Sequence, residues 1–201
     1  MEGIPNQGAT CWLGTLVQCL RASKEWPTES TDSFTNEFLK LMNGSKDVTP
    51  FLRELSMDYG ANDAQEALLF ILDRLKDGLA RDFEGSEKQT VITPKGRSES
   101  FHPCTVWFKP KSSYEFVTQY DGHNVCAIER SLHTVPNILV SDYVSNEFMG
   151  KKPFAIVHWG YGHYIASVKT VQGSWVTIND NAISQEMDTP TYRGYFAFYK
   201  D

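Results

Sequence analysis

Apolar residues recur every three or four positions through the first 80 residues of the chain, and at every second position from Pro103 onward. The first period is that of helices buried on one face; the second is that of strands. Leu13, Leu16, Val17 and Leu20 make one helical stripe, which Thr10 can cap. A second helix is expected from Asp32 to about Met42, with Phe34, Phe38 and Leu41 inward and Gly44 as its stop. Thr49-Pro50 opens a short third helix in the order cap, then proline. The strongest stripe is Ala64, Ala67, Leu68, Ile71, Leu72, Leu75 and Leu79. Asn62 or Asp63 starts that helix, and Gln65 or Glu66 can close a capping box. Residues 81–100 are polar and rich in Lys, Glu, Ser and Gly, which predicts a mobile loop. Strands are predicted over 104–109, 114–120, 124–130, 154–159, 164–170, 175–179 and 195–200, with a hairpin turn at Gln172-Gly173. The expectation is α+β: one domain over 1–201, with a helical lobe (1–80), an antiparallel sheet lobe (100–201) and a cleft between them.

Composition sharpens this only in part. The chain is 41% hydrophobic and 22% charged, enough apolar material for a core over most of its 201 residues. A formal charge of −6 argues against nucleic acid as a partner and suits a basic peptide or protein. No secretory leader is expected from Met1-Glu2-Gly3-Ile4-Pro5, and no apolar run approaches the roughly 20 residues that span a bilayer. The four cysteines, Cys11, Cys19, Cys104 and Cys126, are too unevenly placed for a disulfide framework. A reducing, cytoplasmic setting and a monomer are therefore expected. The chain begins close to its first motif, which suggests a segment of a longer polyprotein or a trimmed piece.

Cys11 directly follows the expected cap Thr10, so it falls in the first turn of a helix. There the unpaired N–H groups and the helix dipole favour a thiolate. Gly8 and Ala9 before it leave space for a substrate. The alternative is an ordinary buried cysteine, the role expected of Cys19 in mid-helix. A thiolate needs a base, and the base needs an acceptor that orients it. Of five histidines, His163 stands out in Gly160-Tyr161-Gly162-His163-Tyr164, at the head of a strand. It lies 152 residues after Cys11, near the spacing of papain-like chains. The midpoint between His163 and Asn179 falls beside Gln172-Gly173, so the hairpin brings the two close, give or take a small register shift. Asn179 can then accept from the far ring nitrogen, and Asp180 can share or replace that role. Asn6, five residues before Cys11, is positioned to donate to an oxyanion from its amide, or else simply forms a turn after Pro5.

These stretches carry a family likeness. GIPNQGATCWLGTLVQCL closely resembles the cysteine box of ubiquitin-specific proteases, NDAQEALLFILDRL their second box, and GHYIASVK with WVTINDNAIS their histidine box. GYFAFYK resembles their terminal strand, and the four matches run in family order from Gly3 to Tyr199. The resemblance implies a papain-like fold with a helical thumb, an antiparallel palm and a cleft for a ubiquitin or ubiquitin-like tail. It implies Cys11 as nucleophile, His163 as base, Asn179 with Asp180 as the third member, and Asn6 as oxyanion donor. It also implies that Asp63 and Glu66 hold an arginine-containing tail, with Gly162 and Tyr164 lining a Gly-Gly channel. Both acids also suit the first turn of a helix for local reasons. The activity implied is cofactor-free hydrolysis of (iso)peptide bonds after such a tail.

The chain departs from the family in three ways. It is shorter, and it lacks the two Cys-x-x-Cys zinc pairs of the family's fingers, so reduced fingers are expected. His102, Cys104, His123 and Cys126 fall in that region at spacings that match no standard zinc knuckle, and no metal is expected. Gly14-Thr15 stands where Asn-Ser is usual. Trp12, beside the nucleophile, is similar to the residue there in viral papain-like proteases. Two other readings stay open: a viral protease that mainly processes its own polyprotein, and an inactive ubiquitin-binding pseudoenzyme.

Overall fold

The computed structural model describes residues 2–56, 62–107, 127–186, 190 and 194–201. Four helices come first: α1 (Cys11–Ser23), α2 (Ser33–Met42), α3 (Thr49–Leu55) and α4 (Ala64–Arg74). Their starts follow local chemistry. Asp32 accepts the Thr35 N–H at 2.8 Å, and Asp63 accepts the N–H groups of Gln65 and Glu66 at 2.8 and 3.1 Å. The cap of α3 is Val48, not Thr49, which is itself the first helical residue. Helix α4 ends one turn before the apolar stripe does: Leu75 is its C-cap, and Leu79 packs on the core from the following turn. Arg21 donates to the Leu41 and Ser45 carbonyls, so a cation sits at the C-terminal end of α2.

Among the described residues nine strands follow: β1 (Gly85–Thr93), β2 (Gly96–Cys104), β3 (Ala127–Thr134), β4 (Leu139–Ser141), β5 (Lys152–Gly160), β6 (His163–Lys169), β7 (Trp175–Asn179), β8 (Ala182–Glu186) and β9 (Gly194–Lys200). They form an antiparallel six-stranded sheet, β4-β9-β5-β6-β7-β8, and a three-stranded one, β2-β1-β3. The loop expected at 81–100 is instead a short 3-10 turn (Arg81–Phe83) followed by the β1–β2 hairpin. Its ladder pairs Gly85 with Cys104 through to Thr93 with Gly96. Polar side chains do not oppose a strand whose backbone bonds are made and whose faces meet water. Of the strand expected over 104–109, Cys104 is the last residue of β2 and Trp107 forms an isolated bridge to Ser141, while 108–109 lie outside the described residues. The strand expected at 114–120, and the first residues of that at 124–130, lie outside the described residues.

The six-stranded sheet is covered on one face by helices. Tyr164, Ala166 and Val168 of β6 point toward α1 and join Leu13, Leu16, Val17 and Leu20 in one core. The other face carries a smaller cluster of Leu139, Ile156, Trp175, Ala197 and Tyr199, against which Trp107 and Phe148 pack. Lys200 of β9 donates to the Ala22 and Ser23 carbonyls and so ties the sheet to the end of α1. Mixed α+β with antiparallel sheets is thus the fold class, as the periodicity predicts.

Candidate active site

The segment before α1 is clasped at both ends. Ile4 donates its N–H to the Asp180 carbonyl at 3.1 Å, and Gly3 lies so close to that turn that a Cβ would meet the Asp180 oxygen at 2.3 Å. Only glycine permits that approach. Further on, Thr10 donates both its N–H and its hydroxyl to Asn6 Oδ1, at 3.0 and 3.3 Å, and its hydroxyl accepts from the Gln7 N–H. Thr10 therefore occupies the N-cap position without capping; its side chain turns back into the loop. With the Asn6 carbonyl oxygen fixed, the opposite end of that exposed amide is its NH2 donor. Gly8 and Ala9 both take left-handed backbone, φ 85° and 53°, to bring the chain round into the helix.

Cys11 is the first residue of α1 and is 8% exposed. Its N–H belongs to the first turn, where no intrahelical acceptor exists. It opens on a cleft of about 440 Å³, bounded by Ala9 and Cys11 of the loop and α1, by Asp63 at the start of α4, and by Trp159, Gly162, Tyr164 and Tyr195 of the sheet. Trp12 borders this cleft from beneath and is 0% exposed, a core side chain and not an open wall.

The structure brings His163 and Asn179 together. His163 Nε2 lies 2.7 Å from Asn179 Oδ1 and 3.9 Å from Asp180 Oδ2. The imidazole thus gives its Nε2–H to the amide oxygen, which fixes the tautomer and leaves Nδ1 for other work. The β6–β7 ladder sets Ala166 opposite Ile178, so Asn179 is a diagonal neighbour of His163 and not its direct partner. The turn at 170–173 is as expected, closed by the Gly173 N–H on the Thr170 carbonyl, with Gly173 at φ 88°.

Asp63 has little carboxylate left to offer. One oxygen caps α4, and the other accepts from the Tyr195 hydroxyl at 3.0 Å. Tyr195 owes this reach to a bulge: Val157 pairs with Phe196 and His158 with Gly194, so Tyr195 is the extra residue and is turned toward the helices. Burial first, then Asp63, pushes its phenol up to about 12. Tyr164 accepts the Ala64 N–H at 3.4 Å, and burial raises its phenol as well. Glu66 is exposed in the first turn of α4. His102 bonds to Ser100, and the Cys104 thiol donates to the Val106 carbonyl and is pushed up to about 11 by burial. His123 and Cys126 lie outside the described residues. Tyr195 and Trp159 are cleft residues that alternation alone does not single out.

No protein-family model matches the chain. It is 24% identical over 201 residues to ubiquitin carboxyl-terminal hydrolase 23 of Arabidopsis thaliana, covering 86% of this chain and 22% of that protein. All of the chain superposes on the SAGA DUB module of Ubp8, Sgf11, Sus1 and Sgf73 bound to monoubiquitin, with TM-score 0.70, 17% identity and 69% of that chain covered. The same module bound to ubiquitin aldehyde gives 0.67, 18% and 69%. The fold is that of a ubiquitin-specific protease catalytic domain. Within this ubiquitin-specific-protease fold, α1 and the start of α4 face the β5–β6 hairpin across the cleft, and the chain spans about a fifth of the length of its curated relative.

Proposed function

We propose that the chain is a deubiquitinating cysteine protease, one catalytic domain with α1–α4 as thumb, the six-stranded sheet as palm and the three-stranded sheet as reduced fingers. The observation that carries this reading is the His163–Asn179 bond of 2.7 Å, with His163 in a cleft that shares Trp159 with the one into which Cys11 opens from a helix N-terminus. His163 Nδ1 takes the thiol proton, and Sγ attacks the last carbonyl of a Gly-Gly tail. The Asn6 amide and the Cys11 N–H steady the oxyanion. As the C–N bond breaks, the imidazolium returns its proton to the leaving amine, and water then releases the acyl group from sulfur. Gly162, without a side chain, and Tyr164 line the cleft along which a Gly-Gly tail would run. In this reading Glu66, exposed in the first turn of α4, meets an arginine further up the tail, and Asp63 is the helix cap beside it.

The ubiquitin carried by the structural neighbours supports ubiquitin or a close relative as partner. No described helix is long and apolar enough to cross a membrane. The test is release of a fluorophore from the ubiquitin C-terminus, with Cys11→Ala and His163→Ala as controls. Turnover in the wild type that is lost in both variants is expected. Ubiquitin binding without turnover would make the chain a pseudoenzyme. Neither binding nor turnover would remove ubiquitin and leave a protease for another tail, a polyprotein junction included.

A further inference from the structure

A second cleft, of about 370 Å³, opens beside the first and is lined by His158, Trp159, Gly160, Tyr161, His163 and Ile165. Trp159, 54% exposed, lies in both linings, so the two clefts adjoin at its side chain. They divide the candidate catalytic groups: Cys11 lines the first and His163 the second. In acyl transfer the acyl part stays with the nucleophile, and the amine that departs takes its proton from the general acid. The cleft on the histidine's side is therefore the side from which the amine leaves.

The tip of the β5–β6 hairpin stands over this second cleft and breaks two local rules. Gly160 pairs with His163, so the turn has two residues, Tyr161 and Gly162, at φ 55° and 74°. Such turns take Asn, Asp or Gly, whereas a bulky aromatic residue in left-handed backbone is strained. Tyr161 is also 103% exposed. An aromatic ring that is both strained and wholly in water contributes nothing to the fold, and such outliers gather at functional sites.

Resting on the protease reading above, we propose that this second cleft binds the lysine-bearing segment of the leaving protein, with Tyr161 as a specificity-determining contact. Trp159 and Ile165 border the aliphatic stem of the leaving lysine, and the Tyr161 ring covers the peptide that flanks it. The lysine Nζ then sits beside His163, whose proton it takes as its bond to the glycine carbonyl breaks.

The experiment compares two substrates that share the tail and differ in the leaving side: ubiquitin joined through Nζ to a lysine-containing peptide, and ubiquitin methyl ester, whose methanol cannot fill the cleft. The readout is the ratio of their kcat/KM values in the wild type, Tyr161→Asn and Tyr161→Phe. Asn accepts left-handed backbone, so Tyr161→Asn folds at least as well as the wild type, and its thermal midpoint checks this. The loss of one exposed aromatic contact is expected to lower the peptide-to-ester ratio roughly three- to tenfold in Tyr161→Asn. Tyr161→Phe keeps the ring and should keep the ratio. A ratio unmoved in Tyr161→Asn, with both substrates turned over, overturns the leaving-side assignment and leaves the protease reading standing. A wild type that cleaves neither substrate overturns both.

Discussion

In the six-stranded sheet, β5 runs from Pro153 to Val157 without leaving the interior, whereas β2 spends nine residues without one that is buried. The larger sheet has cores on both faces; the smaller one has Val91 and Ile128. One is fixed by packing and the other by its hydrogen-bond ladder. The candidate nucleophile, base and orienting acceptor belong to the packed part, Cys11 on a helix against β6 and His163 and Asn179 at the ends of β6 and β7, whereas Asn6 and Asp180 lie on the loop and turn beside them. A site that needs atoms held to a fraction of an ångström is best placed on elements whose rotamers are locked by neighbours. In the smaller sheet β2 is open to water along most of its length, which suits surface contact instead.

Substitutions can break this contrast, and the largest effect belongs to the site. Asn179→Ala is expected to cut turnover about 100- to 10,000-fold, since the tautomer of the base is then unheld, as in triads that lose their orienting acceptor. Asp180→Ala, removing a carboxylate 3.9 Å from the ring and not 2.7 Å, should cost far less in the same assay. Next comes packing. Leu16→Ala in the main core should cost about 2–5 kcal/mol in denaturant unfolding. Val91→Ala in the small sheet should cost about 1 kcal/mol, and equal losses would end the distinction drawn above. Tyr195→Phe should cost about 1 kcal/mol through the lost bond to Asp63. It carries a pH signature. A phenol raised to about 12 in the folded chain supplies stability that is whole below its ordinary value near 10 and is lost as pH climbs between the two. The variant's alkaline unfolding curve should be flatter over that interval. Smallest of all, Phe101→Ala on exposed β2 should stay within about 0.5 kcal/mol.

The four helices were legible because each buries a single face, and that face writes a 3.6 period into the chain. β7 was legible to the residue. β1 and β2 were not, because a ladder with little core beneath it leaves no alternation to read; β4, three residues long, and edge strand β8 were missed for want of length and of a buried face. At the site, the His163–Asn179 pairing could be found from the turn between them, although the true register makes them diagonal. The engagement of Asp63 by Tyr195 could not. Strict alternation sends Tyr195 to the face away from Phe196, and only the bulge reverses it. Likewise the two hydrogen bonds from Thr10 to Asn6 were hidden, because sequence reads the threonine as a helix cap.

The clasp of Gly3 and Ile4 on the Asp180 turn has a consequence in time. Both halves of the site are far apart along the chain, so the cysteine leaves the ribosome with neither its base nor its orienting turn yet made. At roughly 5–20 residues per second, some 10–30 s of synthesis separate them. Through that interval the Cys11 thiol lacks the imidazole that the proposed mechanism pairs with it, and the later strands both complete the sheet and bring that candidate base into place.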